Sequence, residues 1–559
     1  MPKILSRQTV LVVLLIALLL LPNIYTACVA IELVHLPLKQ IAYLGVCLIL
    51  LLLPACFFKA RTYFIIEGVL NFLLFPIEIS SLYLNHQSCS EAFLVNIFHT
   101  NFNEAIELVL SLYPIVIGVI ALYALYFFLS SKIQNTYIFP RLHKGYLLAC
   151  LIGLWFAGVG GMLFVLRNQH RETNRMAKII LANDLLVRKA YKIFPYNIYL
   201  HSRTFIKKQA EIRRLQKQVA DFQFDLPPKT MDSSELYILI IGEAARYDHQ
   251  GFNGYERNTT PHLSSLSSFI SYDSIYSEAN LTANSLPLLL TRADARHREI
   301  AYQEKTLPEA FAQSGFDTYW LIKQFPYPFM QRAIENATYC YSRNVSNTDK
   351  DDNYDIDIIP ALQSIGVPQH PSMMVIHLLG CHFRYDQRYP EEYKVFQPTW
   401  DKDHFSYMLI NPANKEWFVN AYDNCLLYTD YVISQIIEWA KQCHQPAVVM
   451  YVSDHGESLW DDGNINVLHG SYNVVPPEYH VPLYVWYSEE YKQKYPEKVA
   501  AMYSNKSVKQ NTSVVFYSLL DLANIPIPNS QQKSICGSLV PTDTLYVING
   551  KGELDILQP

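Results

Sequence analysis

Two hydrophobic patterns divide this chain of 559 residues. Its first part carries five apolar stretches, each close to the ~20 residues that a helix needs to cross the hydrocarbon core of a bilayer. These stretches are 9–29, 41–58, 63–84, 108–131 and 145–166. Four contain no charged residue, whereas the third contains Glu67 and Glu78, which are costly in a membrane unless they face the interior of a helix bundle. We therefore predict a transmembrane domain of five helices over residues 1–166.

The Lys and Arg residues of the short loops indicate how these helices are oriented. One side of the membrane would hold Lys3, Arg7, Lys59, Arg61, Lys132, Arg141 and Lys144. The other side would hold Lys39 alone. Because cytoplasmic loops are enriched in Lys and Arg, we expect a cytoplasmic N-terminus. An odd number of spans then places residues 167–559 on the outer side of the membrane.

A polar segment follows the apolar stretches. Residues 167–226 are helix-like and include a charged run from Lys207 to Lys217. This segment is either an amphipathic helix that lies on anionic headgroups or a solvated connecting helix. Pro227 and Pro228 then mark the expected start of an outer domain over residues 227–559.

In the outer domain, short apolar runs rich in β-branched and aromatic residues alternate with helical patterns. The expected strands are 236–241, 373–379, 447–452 and 481–487, and candidate helices include 306–314 and 418–442. Nearly continuous apolar strands separated by helices are typical of a sheet that is buried on both faces and largely parallel. The fold class predicted for the whole chain is therefore a membrane-anchored α/β protein.

Composition and charge exclude several classes of protein. Charged residues make up 17% of the chain, and residues 1–166 contain 14 of the 95 charged residues and no Asp. This local deficit excludes a fully soluble protein, a disordered chain and a small disulfide scaffold. The formal net charge is −5, without the basic surplus that nucleic-acid binding requires, so we expect no nucleic-acid partner.

Polar residues that could carry chemistry stand just after the predicted strands. Glu243 follows the first strand, His382 follows the second, and Asp454, His455 and Glu457 follow the third. Ligands of open α/β sheets bind beyond the carboxyl ends of the strands, so these side chains are expected to share one edge. Two carboxylates and an imidazole suit Zn²⁺ and leave a coordination position open, which is typical of a catalytic site.

Each of these residues also has an ordinary structural explanation. A Glu after a strand is commonly a cap or a surface charge, and an Asp-His pair can cap the next helix. His382 or His469 alone would more often be a hydrogen-bonded structural histidine. Their joint occurrence at corresponding strand ends favours a functional site.

Several motifs resemble those of bacterial phosphoethanolamine transferases, a family of the alkaline phosphatase and sulfatase superfamily. They are YILIIGEAARYDHQGFNGYERNTTP at 237–261, TANSLP at 282–287, GCH at 380–382 with RYP at 388–390, NAYDN at 420–424, SDHGES at 453–458 and LHG at 468–470. The resemblance implies a five-helix transmembrane bundle followed by an alkaline phosphatase/sulfatase-like α/β/α domain that depends on zinc.

The resemblance also implies roles for individual residues. Glu243, Thr282, Asp454 and His455 would hold one zinc ion, and Thr282 would be the nucleophile. A free hydroxyl is a poor nucleophile at neutral pH, whereas coordination to Zn²⁺ favours its alkoxide form. The remaining candidates are catalytic His382 and His469, which would flank the phosphoryl group as proton donors, as stabilisers of charge or as ligands of a second metal. Glu457, Ser285 and Lys323 are candidate substrate-binding residues, and the Ser285 hydroxyl also competes with Thr282 for the role of nucleophile.

Two features depart from the family pattern. Members that modify lipid A usually have a disulfide around the nucleophile, but this chain has Glu278 and Leu288 there. The outer domain contains five cysteines, an odd number, so at least one thiol is unpaired within a monomer: Cys340, Cys381, Cys425, Cys443 and Cys536. In addition, the segment from Trp320 to Gln324 differs from the family, which affects expectations about substrate recognition rather than zinc binding.

The function implied by the resemblance is transfer of phosphoethanolamine from phosphatidylethanolamine to an envelope glycolipid or glycan through a phosphoethanolamine-threonine intermediate. Lipid A or the core of lipopolysaccharide is the expected acceptor. The protein would be a monomer that spans the bacterial inner membrane several times, with its catalytic domain in the periplasm. Alternatives are a lipoteichoic acid synthase-like or sulfatase-like membrane phosphotransferase or phosphodiesterase, and a catalytically inactive membrane sensor.

Overall fold

A computed structural model describes most of the chain. The described residues are 6–29, 37–85, 88–90, 113–138, 192–226, 234–324, 329–342, 354–400, 409–461, 466–527 and 530–558, with isolated positions at 93–97, 145–163, 179 and 327. The chain divides into two units, one formed by Met1–Phe98 with Leu112–Lys208 and the other by His99–Ser111 with Gln209–Pro559.

The N-terminal unit is built from apolar helices. They are α1 (Arg7–Val29), α2 (Pro37–Leu52), α3 (Ala60–Asn85) and α4 (Tyr113–Ser131). In the described part of the chain, three segments are long and apolar enough to cross a membrane: Arg7–Val29, Lys39–Cys56 and Ala60–Tyr83. Helix α4 corresponds to the fourth predicted span, and most of the fifth, 145–166, lies outside the described residues.

The two carboxylates of the third span face the interior of this unit, which is one of the positions where such residues are tolerated. Glu67 and Glu78 are both buried. The Glu78 Oε2 atom accepts hydrogen bonds from Asn197 Nδ2 at 2.6 Å and from the backbone nitrogen of Cys89 at 3.2 Å. These donors offset part of the cost of removing a carboxylate from water.

Helix α5 (Tyr196–Val219) covers the second half of the polar segment. Tyr199, Arg203, Ile206 and Lys207 are exposed on it, and their spacing places them on one face. Apolar and basic side chains therefore share this exposed surface. Residues 167–191, apart from position 179, and the expected domain start at Pro227 and Pro228 lie outside the described residues.

A seven-stranded sheet forms the centre of the outer unit. The strands are β1 (Leu236–Gly242), β2 (Phe269–Tyr272), β4 (Asp317–Ile322), β5 (Tyr339–Ser342), β6 (Ser372–His377), β7 (Ala447–Ser453) and β10 (Leu483–Tyr487). Their order in the sheet is β2-β10-β7-β1-β6-β4-β5, and β10 alone of these strands is antiparallel to its neighbours. The predicted, largely parallel sheet is confirmed, and β2, β4 and β5 are strands that the sequence analysis did not identify.

Within the described ranges, three pairs of short strands lie outside the main sheet. They are β3 (Ile275–Tyr276) with β11 (Gln510–Asn511), β8 (Ser458–Leu459) with β9 (Val467–Leu468), and β12 (Leu545–Ile548) with β13 (Leu554–Leu557).

Helices cover both faces of the sheet, so the outer unit is an α/β/α sandwich. Along β1, Tyr237, Leu239 and Ile241 enter one hydrophobic core, whereas the alternating residues Leu236, Ile238 and Ile240 enter the other. The helices are α6 (Pro261–Ser264), α7 (Thr282–Leu289), α8 (Leu307–Gln313), α9 (Gln331–Glu335), α10 (Ile358–Ile365), α11 (Lys415–Gln442), α12 (Glu489–Lys494), α13 (Pro496–Ser504) and α14 (Val514–Leu522). Burial on both faces explains why β1 reads as a continuous apolar run rather than an alternating one.

The register of three neighbouring strands brings distant parts of the chain to one edge. Gly242 at the end of β1 pairs with Ser453 at the end of β7, and Ile241 pairs with His377 at the end of β6. A Cβ atom on Gly242 would lie 1.9 Å from the Tyr451 hydroxyl, so this close approach requires glycine. The residues that follow β1, β6 and β7 therefore leave the sheet side by side.

Helix α11 anchors the segment that follows β1. Its Asp423 accepts hydrogen bonds from Tyr255 and Arg257 and pairs with His249, each at 2.8 Å. Two turns later, Asp430 accepts hydrogen bonds from the backbone nitrogens of His262 and Leu263, both at 2.9 Å. The NAYDN motif thus has a structural role through Asp423, since its carboxylate ties residues 249–257 to the helix.

Replacing Asp430 with Ala should destabilise the outer unit by about 1–3 kcal/mol, because the buried backbone N–H of Leu263 and the partly buried one of His262 lose their acceptor at the start of α6. Denaturant titration of the detergent-solubilised protein, followed by tryptophan fluorescence, measures the loss. The matched control is Glu438→Ala on the same helix, which removes an exposed 3.3 Å ion pair with Lys441 and should change stability by less than about 0.5 kcal/mol. Equal effects of the two substitutions would contradict this role of Asp430.

Candidate active site

Four predicted residues meet at the carboxyl edge of the sheet. The Thr282 Oγ1 atom donates a hydrogen bond to Glu243 Oε2 at 3.1 Å and lies 3.2 Å from His455 Nε2. The same His455 nitrogen lies 3.3 Å from Glu243 Oε1 and 3.5 Å from Asp454 Oδ2. All four side chains are buried. The structure therefore brings together Glu243, Thr282, Asp454 and His455. The first and the last of these lie more than 200 residues apart in the sequence.

The donor atoms of this cluster suit a divalent cation. Glu243 Oε1 and Asp454 Oδ2 are buried and have no donor in hydrogen-bonding geometry among the described residues. The Nδ1 atom of His455 lies 2.8 Å from the carbonyl oxygen of Gly456, which can only accept, so Nδ1 carries the proton. The Nε2 lone pair of a neutral His455 then points toward the two carboxylates. Two oxygens and one imidazole nitrogen in this arrangement are typical ligands of a catalytic metal with an open position.

Electrostatics also favour a cation at this place. Burial, followed by the charge of Glu243, raises the pKa of Asp454 to about 7. Burial would also raise the pKa of Glu243, but the adjacent His455 outweighs burial and holds that pKa well below its usual range. For His455, burial opposes protonation, yet the Asp454 and Glu243 carboxylates raise its pKa to about 10. The cluster concentrates negative charge that a proton on His455 or a metal ion would neutralise.

Thr282 stands at the N-terminus of a helix. It is the first residue of α7, and the preceding Leu281 is extended. The first backbone N–H groups of a helix point toward its N-terminal end, where they favour negatively charged groups such as phosphate. The Thr282 hydroxyl is therefore next to both the carboxylate and imidazole cluster and a helix end that attracts anions.

The two candidate catalytic histidines also lie at this edge. The ring of His469 is 4.1 Å from the ring of His455, and one ligand atom each of Glu243, His455 and His469 lie within 4.8 Å of one another. His469 Nδ1 is 3.1 Å from Glu457 Oε2. His382 is partly exposed, and it is near enough to Glu243 to lower the pKa of that carboxyl.

Three residues were predicted to bind substrate, and each has partners inside the protein. Glu457 is buried beside His469, and burial raises its pKa to about 8. The Ser285 hydroxyl donates to the carbonyl oxygen of Thr282 at 3.4 Å, within α7. The Lys323 ammonium is fully buried and lies 2.9 Å from Asp357 Oδ2.

Gln324 is a site residue that the sequence analysis did not propose. Its Nε2 atom donates to Glu243 Oε2 and to the carbonyl oxygen of Leu378, both at 2.9 Å. It therefore fixes the orientation of the Glu243 carboxylate. Gln324 follows the apolar run of β4, so the same search for polar residues after strands would have found it if β4 had been identified.

The position where the family resemblance implies a disulfide is held by non-covalent contacts. Glu278 Oε1 accepts hydrogen bonds from the backbone nitrogen of Ala295 at 3.0 Å and from Asn511 Nδ2 at 2.9 Å. Leu288 packs in a small apolar cluster that includes Ala293 and Ile548. All five cysteines of the outer unit are free thiols. Hydrogen bonds and apolar packing thus connect the segment that carries Thr282 to its surroundings.

A divalent cation should raise the melting temperature of the protein, and Glu243→Gln should abolish that increase. At a free cation concentration of about 100 times Kd, binding to the folded state adds roughly 2.7 kcal/mol of stability. Thermal denaturation with and without Zn²⁺, Mn²⁺ or Mg²⁺ measures the effect. The control is Glu235→Gln, which changes a buried carboxylate at the opposite end of β1 and should retain the increase. An undiminished increase in Glu243→Gln would contradict this cation site.

Comparison with known proteins identifies the fold and the family. The sulfatase family model matches residues 235–525. Over 296 residues, the chain is 28% identical to phosphoethanolamine transferase EptA of Helicobacter pylori, which covers 52% of this chain and 53% of that protein. The chain thus spans about half the length of the curated relatives that it matches first.

Two solved structures share the fold. The integral membrane lipooligosaccharide phosphoethanolamine transferase A of Neisseria meningitidis superposes with a TM-score of 0.70 at 19% identity, over 95% of this chain and 98% of that one. The C-terminal periplasmic domain of EptC from Escherichia coli, in complex with Zn, superposes with a TM-score of 0.53 at 21% identity, over 59% of this chain and 96% of that one. The resemblance inferred from the motifs is confirmed, and the chain belongs to the sulfatase family.

Proposed function

We propose that this protein transfers phosphoethanolamine from phosphatidylethanolamine to an envelope glycolipid, with lipid A or the core of lipopolysaccharide as the expected acceptor. The observation that carries the proposal is the Thr282 hydroxyl, which lies 3.1 Å from Glu243 Oε2 and 3.2 Å from His455 Nε2 at a helix N-terminus. The relatives support phosphoethanolamine as the transferred group and a glycolipid as the acceptor, since they include phosphoethanolamine transferases and a lipooligosaccharide phosphoethanolamine transferase.

Zinc is the metal that this proposal assigns to the cluster. Glu243, Asp454 and His455 would hold it, and the Thr282 hydroxyl would complete the set. When bound there, zinc would favour ionisation of that hydroxyl and neutralise charge on the phosphoryl group. The zinc-bound EptC domain, which shares the fold, is consistent with this choice of metal.

The reaction would be a double displacement at phosphorus. In the first step, the Thr282 oxygen forms a bond to the phosphorus of phosphatidylethanolamine, and the bond from phosphorus to the diacylglycerol oxygen breaks. The Thr282 hydroxyl loses its proton, and the diacylglycerol oxygen takes one up as it leaves. In the second step, a hydroxyl or phosphate oxygen of the acceptor attacks the same phosphorus and gives up its proton, the bond to Thr282 breaks, and the Thr282 hydroxyl is restored. Positioning and charge neutralisation supply most of the acceleration in such transfers.

His469 is the residue proposed to move the proton. Its Nδ1 atom faces Glu457 Oε2 at 3.1 Å, so that carboxylate holds the ring in one orientation. Burial and the neighbouring His455 lower the pKa of His469 to about 3, so the ring is neutral and its other nitrogen carries a lone pair. In each step that nitrogen would take the proton of the attacking hydroxyl and pass it to the leaving oxygen. His382, near the Glu243 carboxylate, would stabilise charge on the phosphoryl oxygens.

The apolar helices of the N-terminal unit explain how such an enzyme would reach its donor. A lipid donor stays in the bilayer, so an enzyme anchored in the same membrane meets it at high effective concentration. We place the protein in the bacterial inner membrane with a cytoplasmic N-terminus and a periplasmic catalytic domain, as the loop charges predict. We expect it to act as a monomer.

Thr282→Ala should reduce release of diacylglycerol from phosphatidylethanolamine by at least about 10³-fold, because no other group would replace the attacking oxygen. Thr282→Ser should retain measurable activity, since it keeps a hydroxyl at the same place. Ser285→Ala is the matched control on the same helix and should stay within about tenfold of the unmodified protein. Mass spectrometry of proteolytic peptides should find phosphoethanolamine on Thr282 when the acceptor is withheld.

Other results would favour the alternative functions. Diacylglycerol release from phosphatidylglycerol, but not from phosphatidylethanolamine, would indicate a glycerophosphate transferase. Absence of both activities and of bound zinc would indicate a membrane sensor that retains only the fold. Mass spectrometry of envelope glycolipids from cells that express the unmodified protein or Thr282→Ala would identify the acceptor.

A further inference from the structure

A second buried carboxylate lies close to the active site but is not part of it. Glu478 closes the short turn Pro476–Glu478 and is fully buried. Its Oε2 atom accepts hydrogen bonds from Asn280 Nδ2 at 2.7 Å and from the backbone nitrogen of Ser471 at 3.0 Å. Its Oε1 atom accepts from the Ser458 hydroxyl at 2.8 Å and from the Ser471 hydroxyl. One carboxylate therefore binds four donors from three segments of the chain.

Each of these three segments carries a residue of the proposed mechanism. Asn280 lies two positions before Thr282, Ser458 directly follows Glu457, and Ser471 lies two positions after His469. The Asn280 amide also donates to the carbonyl oxygen of Ser471 at 3.0 Å, so the first and third segments are joined directly as well.

The backbone of the same turn holds the loop that follows β7. The nitrogen of Gly456 donates to the carbonyl oxygen of Glu478 at 2.8 Å, and the nitrogen of Glu457 donates to that of Pro477 at 3.2 Å. A Cβ atom on Gly456 would lie 2.1 Å from the Pro477 carbonyl oxygen, so only glycine fits between Asp454-His455 and this turn.

The surroundings of Glu478 do not explain it as an ion-pair partner. No Lys or Arg among the described residues forms a salt bridge with it, and burying a carboxylate without a cation is costly. The four hydrogen bonds offset that cost only while all three segments keep their places. A carboxylate with two acceptor atoms is the side chain that can satisfy four converging donors at once.

We infer that Glu478 is a positioning residue that holds the Thr282, Glu457 and His469 segments at fixed separations, so that the attacking oxygen and the proton-transferring imidazole stay aligned. This inference rests on the proposed function for its kinetic consequence. We call the four hydrogen bonds to Glu478 the clasp, and these contacts between the three segments do not depend on the substrate.

Glu478→Ala should lower kcat by about 10- to 100-fold, because small displacements of reacting groups are costly in rate. KM for phosphatidylethanolamine and zinc content should stay within about twofold of the unmodified protein, since Glu478 touches neither site. Glu478→Gln should retain kcat within about threefold, because its oxygen can accept from Asn280 and Ser471 while its amide donates to the two serine hydroxyls. A loss in the Gln variant as large as in the Ala variant would overturn positioning by these contacts.

A double-mutant cycle tests whether Glu478 acts through the nucleophile segment. Asn280→Ala removes one contact of the clasp and provides a measurable variant even where Glu478→Ala folds poorly. The double variant should lose no more kcat than Glu478→Ala alone, because both substitutions release the same segment. Multiplying losses would overturn the inference.

Amide hydrogen exchange provides a readout that needs no activity. Glu478→Ala should speed exchange in residues 277–285 and 466–472 by about tenfold or more. The control Glu235→Ala breaks contacts with Lys494 and Tyr495 at the far end of β1 and should leave both segments and kcat unchanged. Unchanged exchange in Glu478→Ala would overturn the clasp. If exchange is faster in Glu478→Ala but the unmodified protein transfers no phosphoethanolamine, the proposed function is overturned and the clasp remains supported.

Discussion

The outer unit depends on placing two carboxylates and an imidazole together in a buried site. Glu243 and Asp454 would repel each other there, and the His455 imidazole between them offsets this repulsion in the protein without metal. A site with this excess of negative charge attracts a divalent cation, and a hydroxyl placed 3.1 Å from one of the carboxylates is in reach of the same ion. The surrounding fold serves to keep these groups close despite that repulsion.

The sheet provides the first level of this support, and a set of buried hydrogen bonds provides the second. Parallel register between β1 and β7 sets Glu243 beside Asp454, and the close approach of Tyr451 to Gly242 leaves no room for a side chain at that position. Gln324 then orients Glu243. On the other side, the Glu478 carboxylate joins the segments of Thr282 and His469. Buried hydrogen bonds of Gln324 and of Glu478 thus hold two different sides of the site.

The N-terminal unit shows the same rule in an apolar environment. Glu78 in α3 is buried, and its carboxylate accepts hydrogen bonds from Asn197 and from the Cys89 backbone. The third apolar stretch is the one that contains charged residues, and the structure shows how the Glu78 carboxylate is accommodated there. Intramembrane carboxylates persist where neighbouring groups supply donors.

Local pattern was enough to establish the fold class, four central strands and the identity of most candidate site residues. Apolar runs and their period report burial directly, and Glu243, Asp454 and His455 stand immediately after such runs. Short strands such as β2 and β5 were missed because four residues carry too little pattern, and with β4 unrecognised Gln324 had no strand to mark it. Pairings such as Lys323 with Asp357, or Glu478 with Asn280, join residues that are 34 and 198 positions apart. No local signal encodes them, because they arise only when strand register and loop packing bring separate segments into contact.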